Sequence, residues 1–237
     1  MSFPIAILAG GLATRLRPIT ETVPKSLIKI AGRYFIEWQL MYLRSQGIKR
    51  VILCTGYLSE KIEQVIGNGA RYKLDVCYSR DAPTLLGTGG ALQKALPLLG
   101  DKFYVMYGDS FLPINFSSVA TAFKNANNKA LMTLIYNENR WDISNVLYED
   151  GMVNRYSKIP SENMKYIDYG LSVLTADVFK KMQFGESFDL AELFSKLALT
   201  GDLSGYEVFN RFYEIGSIDG INDANKYFLK SKFFKES

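Results

Sequence analysis

The sequence predicts an α/β fold: a mixed, mainly parallel β-sheet flanked by helices, with a small antiparallel addition late in the chain. Three observations carry this. Short apolar runs alternate with segments of helical periodicity through residue 107, the order of repeated β–α–β units and of parallel strands covered on both faces. Strand-like runs then cluster between residues 130 and 174, a grouping that favours antiparallel neighbours. With 237 residues, 48% hydrophobic and 22% charged, the chain can bury a substantial core.

Taken in order, residues 3–8 read as a buried strand; they lack the basic start, long apolar stretch and cleavage site of a signal peptide. Residues 35–45 place Ile36, Leu40 and Leu43 on one helical face, and Gly47 suits the position just past the helix end. Residues 50–55 form a short apolar strand. Ser59 is expected to cap a helix with Glu60 in its first turn and Ile62, Val65 and Ile66 on one face, ending near Gly67. Residues 72–78 read as a strand, 89–99 as a helix and 103–107 as a strand. Strands follow at 130–136, 145–149 and 152–158, the last two joined by an Asp150-Gly151 hairpin turn. Residues 166–174 make a further strand, and helices are expected near 176–182 and 190–199. No Pro-, Gly- or Ser-rich linker and no internal repeat divides the chain, so residues 1–237 are expected to form one domain with two functional halves, 1–110 and 111–237.

The chain has no histidine, which excludes a Ser-His-Asp triad, His-ligated zinc and a histidine base. Chemistry must rest on carboxylates and cations, with or without an oxygen-liganded metal. A net charge of +4 suits anionic substrates. Lys and Arg are scattered, with no basic helix interleaved with aromatics, which argues against nucleic acid. No run reaches the ~18 apolar residues of a membrane span. Cys54 and Cys77 both fall in strand-like runs and are expected to be buried free thiols, in keeping with a cytoplasmic protein.

The most informative stretch is Leu8-Ala9-Gly10-Gly11-Leu12-Ala13-Thr14-Arg15-Leu16-Arg17-Pro18, with Lys25 seven residues on. Backbone N–H groups of a glycine-rich turn point into one concavity, and Arg15 adds a planar cationic fork suited to phosphate. The plain alternative is a strand-to-helix turn with an incidental arginine. The stretch is neither a P-loop, because Thr14-Arg15 stands where Lys and Ser or Thr are needed, nor a dinucleotide fingerprint, because the third glycine is absent. Asp109 follows the apolar run 103–108, so it sits at the mouth of a buried strand, where it either caps the next turn or holds a cation.

The run GGLATRLRPITETVPKSL, residues 10–27, resembles the signature GGxGTRLxPLTxxxPKxL of the nucleotidyltransferases that activate sugar 1-phosphates. Ala13 replaces the usual third glycine, and every charged position is kept. The resemblance runs from Ile5 to about Ala224 and implies a Rossmann-like fold with a nucleotide-binding first half and a sugar-phosphate-binding second half. Leu8, Ala9, Gly10, Gly11, Thr14 and Arg15 would cradle the nucleotide. Gly87, Thr88 and Gly89 would face its base, Thr88 also capping the following helix. Gly108-Asp109 corresponds to the family's metal motif, so Asp109 becomes a Mg²⁺ ligand. Glu214 in Tyr213-Glu214-Ile215-Gly216-Ser217 stands where the family has Asp; it binds the metal directly, through water, or only orients a ligand. On the acceptor side, Lys25 and Lys158 would bind the sugar phosphate, with Ser157 replacing a family Glu. Asp168, at an Asn position, Gly170 and Asn145 would line the sugar pocket.

What the resemblance implies is a Mg²⁺-dependent attack of a sugar 1-phosphate oxygen on the α-phosphorus of a nucleoside triphosphate, GTP or UTP, with Arg15, Lys25 and Asp109 as the catalytic groups. The nucleophile is already an anion, so no general base is needed. The compact enzymes acting on heptose, mannose or N-acetylmuramate 1-phosphates look closest, and a homo-oligomer is open. Two rivals stay open beside it. One is a nucleotide- or NDP-sugar-binding module without turnover. The other is a transferase for a non-sugar phosphate such as phosphocholine, whose quaternary ammonium would need an aromatic cage from Trp141, Tyr156 and Tyr169.

Overall fold

The computed structural model describes residues 2–11, 14–81, 84–159 and 161–231. Its elements run β1 (Ile5–Leu8), β2 (Lys29–Ile30), β3 (Arg33–Tyr34), α1 (Phe35–Ser45), β4 (Arg50–Thr55), α2 (Ser59–Ile66), β5 (Asp75–Arg80), α3 (Gly87–Leu99) and β6 (Lys102–Tyr107). They continue with β7 (Ser110–Phe111), α4 (Phe116–Ala126), β8 (Ala130–Tyr136), β9 (Val146–Glu149), β10 (Met152–Tyr156), β11 (Tyr166–Thr175), α5 (Leu190–Leu199), β12 (Leu203–Glu207), β13 (Tyr213–Glu214) and α6 (Ile218–Lys230).

Nine strands form one sheet in the order β5-β4-β1-β6-β11-β8-β12-β10-β9. The first four are parallel neighbours. β11 then inserts antiparallel to both β6 and β8, β12 lies parallel to β8, and β10 is antiparallel to β12 and β9. The antiparallel part is therefore a continuation of the parallel sheet along its edge. Alternation along the central strands sends side chains to opposite faces. Ile5, Ile7 and Leu53 meet Ile36 and Leu40 of α1, Ile62 of α2 and Val119 of α4. Ala6, Ile52 and Cys54 meet Leu92 of α3 and Phe194 of α5 on the other face. A third cluster seats α6 against α1, with the Trp38 and Phe228 rings stacked 4.7 Å apart. Among the described residues no helix is long and apolar enough to cross a membrane.

Several expectations shift. Ser59 is the first helical residue and not the cap; Leu58 holds that place with φ +58° and makes no side-chain cap bond. β5 begins at Asp75 because residues 70–72 wind into a 3-10 turn, and the helix expected near 176–182 is only the 3-10 turn Ala176–Phe179. Asp150 and Gly151 do form a hairpin turn, both with positive φ. Cys54 is buried and Cys77 half-buried, and both are free. α4, capped by Asn115 accepting from the Ser118 N–H at 2.9 Å, and α6, β12 and the short β2–β3 and β7–β13 ladders had no strong sequence signal.

Thr88 lies inside α3 and does not cap it. That helix starts where it does because the segment 186–188 presses on it. A Cβ on Gly87 would lie 2.5 Å from the Phe188 carbonyl oxygen, one on Gly89 2.1 Å from the Phe188 ring, and one on Gly90 2.7 Å from the Glu186 carbonyl oxygen. Gly87 also has φ +70°, a region costly to other residues. Gly87→Ala is expected to lower stability by at least about 2 kcal/mol, because left-handed strain and a backbone clash add; an unchanged urea midpoint would refute this account of the glycine run.

Candidate active site

β1 is flanked on both sides in register, Leu8 lying opposite Cys54 of β4 and Tyr107 of β6. Three strands thus end level, and the turns that leave them converge. Glycines make the convergence sterically possible. A Cβ on Gly10 would stand 3.1 Å from the Gly56 nitrogen, one on Gly56 2.9 Å from the Gly10 carbonyl oxygen, and one on Gly108 2.9 Å from the Leu8 carbonyl oxygen.

Two cavities open at this edge. The first, about 270 Å³, is lined by Leu8, Ala9, Gly10, Gly11, Lys25, Ser26, Gly87 and Thr88, and by Asp81, Tyr107 and Asp109. The second, about 310 Å³, is lined by Arg15, Trp141, Asn145, Tyr156, Asp168 and Glu214, and again by Tyr107 and Asp109. Asp109 and Tyr107 form the joint between them.

At the joint, Lys25 donates to Asp109 Oδ2 at 2.8 Å and the Ser110 hydroxyl donates to Oδ1 at 3.2 Å. Lys25 is placed by a single 3-10 turn, Lys25–Leu27, begun by Pro24. The neighbouring Ser26 hydroxyl is buried without a partner. Glu214 reaches the same place through the β7–β13 ladder, in which it pairs with Ser110; the Ile215 N–H donates to the Asp109 carbonyl at 2.9 Å. Its carboxylate accepts from the Gly216 N–H at 2.6 Å and from the Ser217 hydroxyl at 3.2 Å. A Cβ on Gly216 would lie 2.4 Å from Glu214 Oε2 and 3.6 Å from Lys25 Nζ, so the second acid and the same lysine both border this glycine. Among the described residues no three His, Cys, Asp or Glu side chains cluster as a metal cage. Two carboxylates on one cavity, each with acceptor capacity left, nonetheless fit Mg²⁺, which takes one or two carboxylates and completes its shell with phosphate and water.

Deeper in the second cavity, Asp168 sits at a bulge in β11. Its Oδ1 accepts from the Gly170 N–H at 2.9 Å, where Gly170 has φ +103°, and its own N–H donates to Asn145 Oδ1 at 3.2 Å. Burial pushes the Asp168 carboxyl up to about 6, the Gly170 bond working against it. Burial likewise raises Tyr107, with Asp168, Tyr156, Asp189 and Asp109 nearby opposing a phenolate, so its hydroxyl stays protonated.

The expected site residues are not all gathered. Arg15, on the exposed turn that Thr14 begins, lines the second cavity beside Asp109 and Glu214 and not the glycine-lined one. Gly89 is buried under Phe188, and its missing Cβ makes room for that ring. Lys158 lies outside both linings and pairs with Asp189. Asp189 in turn caps α5 through the Ala191 N–H at 3.1 Å and accepts from the Thr88 hydroxyl at 2.8 Å. Burial works to raise Asp189, but the Lys158, Ala191 and Thr88 bonds bring it below the usual carboxylate range. Tyr169 is buried in the core, so the three-ring cage of a choline site is not assembled. Ala13 and Pro160 lie outside the described residues. Sequence reasoning missed Asp81, Tyr107 and Asp189. Asp81 carried a usable signal, since it leaves β5 as Asp109 leaves β6; an aromatic within an apolar strand carried none.

A model of the nucleotidyl transferase family matches residues 5–231. The chain is 31% identical over 185 residues to the D-glycero-alpha-D-manno-heptose 1-phosphate guanylyltransferase of Campylobacter jejuni, covering 73% of this chain and 76% of that one. It is 37% identical over 113 residues to the N-acetylmuramate alpha-1-phosphate uridylyltransferase of Neisseria meningitidis, and there spans 47% of itself and 49% of the relative. The fold is that of HddC from Yersinia pseudotuberculosis, solved in complex with GMP-PN, at a TM-score of 0.82 and 22% identity over 95% of this chain and 99% of that chain.

An unfolded Asp titrates near ~3.9, whereas folded Asp168 titrates at about 6. Between those values the native state holds a proton that the unfolded chain has lost, so stability falls as pH rises through this window. Asp168→Asn keeps an acceptor for Gly170 and removes the titration. It is expected to melt above the wild type at pH 7 and to converge with it near pH 4; parallel calorimetric profiles would contradict the assignment.

Proposed function

Because the chain belongs to the nucleotidyl transferase family, we propose that it joins a nucleoside triphosphate to a sugar 1-phosphate, giving an NDP-sugar and pyrophosphate. The observation that carries this is the pair of cavities meeting at Asp109, with Lys25 held on that carboxylate. One cavity has the glycine turn and the other a polar wall of Asn145, Asp168 and Tyr156. Two substrates can therefore approach one another across a single charged joint.

The acceptor's phosphate oxygen attacks the α-phosphorus, the bond from that phosphorus to the β-bridging oxygen breaks, and pyrophosphate leaves. The nucleophile is anionic at neutral pH, so a chain without histidine loses nothing. The obstacle is charge: two like unit charges 4 Å apart repel by roughly 4 kcal/mol at an effective dielectric of 20. Lys25 offsets this at the joint, between the α-phosphate and the acceptor phosphate. Arg15, past Asp109, takes the β- and γ-phosphates. Gly10 and Gly11 let the backbone approach the nucleotide, and Gly87 and Thr88 form the far wall of its cavity. Lys158 binds the acceptor phosphate by exchanging it for Asp189, while Asn145, Asp168 and Gly170 hold the sugar. Asp109 and Glu214 would hold Mg²⁺, which neutralises and aligns the phosphates when bound. Catalysis is then positioning and preorganised charge. We place the reaction in the cytoplasm, in keeping with two free cysteines.

Pyrophosphate release, assayed over a panel of triphosphates and sugar 1-phosphates with products identified by mass, tests the reading. Asp109→Asn is expected to abolish turnover with the fold intact, and near-normal activity would remove Asp109 from the mechanism. Lys25→Ala should lose about 2–3 kcal/mol of transition-state stabilisation, roughly 30- to 160-fold in kcat/KM; an unchanged rate would make it a surface lysine.

A further inference from the structure

Asp81 has no part in the chemistry above, yet it is the most deeply buried carboxylate of the first cavity, at 8% exposure. It leaves the carboxyl end of β5 and lines that cavity together with Gly10, Cys54, Leu85 and Thr88. Its Oδ2 accepts from the Leu86 N–H at 3.2 Å. Its Oδ1 is buried with no hydrogen-bond partner, and buried polar atoms are rarely left so.

The groups around it do not satisfy that oxygen. Lys94 of α3 lends a favourable charge, but its ammonium bonds the Arg80 carbonyl. The Cys54 thiol, pushed up to about 12 by burial and then by Asp81 itself, remains a neutral S–H. Of the other polar side chains in the lining, Thr88 bonds Asp189 and Lys25 bonds Asp109, and none donates to the Asp81 Oδ1. Asp81 follows β5 and Asp109 follows β6, and β4 and β1 lie between those strands in the sheet, so the two acids stand at opposite ends of the cavity they share. A nucleotide whose phosphates lie at the joint puts its base against Asp81.

Resting on the nucleotidyltransferase reading, we propose that Asp81 selects the base of the triphosphate, and that the base it selects is guanine. An ionised carboxylate only accepts hydrogen bonds. The Watson–Crick edge of guanine offers two adjacent donors, N1–H and N2–H₂, which match the two oxygens of one carboxyl group. Uracil and thymine present one N–H between two carbonyl oxygens, and those oxygens would face the carboxylate. Adenine and cytosine place an acceptor ring nitrogen beside their amino group, so one carboxylate oxygen would meet a lone pair. A site built on a buried acceptor rejects partners lacking the donor, because the acceptor is then left unpaired.

The test is calorimetric titration of the full chain with GTP, ITP, UTP, CTP and ATP, each with Mg²⁺ and without acceptor. Inosine lacks only the exocyclic amine, so the wild type alone probes the second donor and no variant need fold. GTP should bind at least about tenfold more tightly than each of the other four, the scale of one good bidentate pair. Asp81→Asn keeps an acceptor for Leu86 and replaces one oxygen by a donor; it should weaken GTP at least about tenfold while leaving UTP within about threefold of its wild-type affinity. If ITP or UTP matches GTP in the wild type, or if a folded Asp81→Asn keeps the full GTP preference, the inference is wrong and the transferase reading stands. If none of the five binds, the transferase reading fails and the inference fails with it.

Discussion

Everything at the site depends on β1, β4 and β6 ending at one level. Leu8 faces Cys54 on one side and Tyr107 on the other, so the turns beyond these residues must share one small space. That space exists only because Gly10, Gly56 and Gly108 present no Cβ to the neighbouring backbone, at separations of 2.9 to 3.1 Å. Parallel strands also point their carboxyl ends the same way, and in such sheets ligands gather beyond those ends. Packing of an apolar, fully buried strand thus decides where Lys25 and Asp109 meet.

The Lys25–Asp109 pair adds little stability by itself. Both side chains are part-exposed, at 22% and 33%, and such pairs contribute about 0–1 kcal/mol. In the proposed reaction its value is positional: before any substrate arrives, the carboxylate already holds the lysine at the joint between the two cavities. The β7–β13 ladder does the same for Glu214 with only two residue pairs. Lys158 and Asp189 form a second pair of this kind, tied through Thr88 to the wall of the first cavity. Lys158 is thereby connected through Asp189 and Thr88 to the first cavity.

The first half was legible because its contacts are local. Strand, helix and strand follow one another, and hydrophobic period and breakers mark each: α1 and β4 match residue for residue. The second half was legible as strands but not as a sheet, since β11 pairs with β6 across about sixty residues and β12 slips between β8 and β10. No local pattern encodes such neighbours. The polar positions Lys25, Asp109, Asn145, Asp168 and Glu214 do line one cavity or the other. Of the glycines after Leu86, Gly87 lines the first cavity and Gly89 does not, because a missing Cβ says that something comes close, not what, and for Gly89 it is the Phe188 ring. Lys158 was placed by the family resemblance, and the partner that engages it, Asp189, stands at the start of another element.

Three aspartates then show how a chain without histidine obtains three behaviours from one side chain. Asp109, beside Lys25 and open to solvent, is fitted to holding cations. Asp168, enclosed and held by the Gly170 N–H, is raised to about 6 and so changes charge within the physiological approach to neutrality. Asp81, enclosed with one oxygen unpaired, is raised by burial, with only Leu86 and Lys94 opposing. The chemistry of the carboxyl group is constant, so the differences lie in water, neighbours and hydrogen bonds. Asp81 and Asp109 even share a structural origin, each leaving the end of a parallel strand in the same sheet. What separates their roles is that a lysine reaches one of them and nothing in the protein reaches the free oxygen of the other.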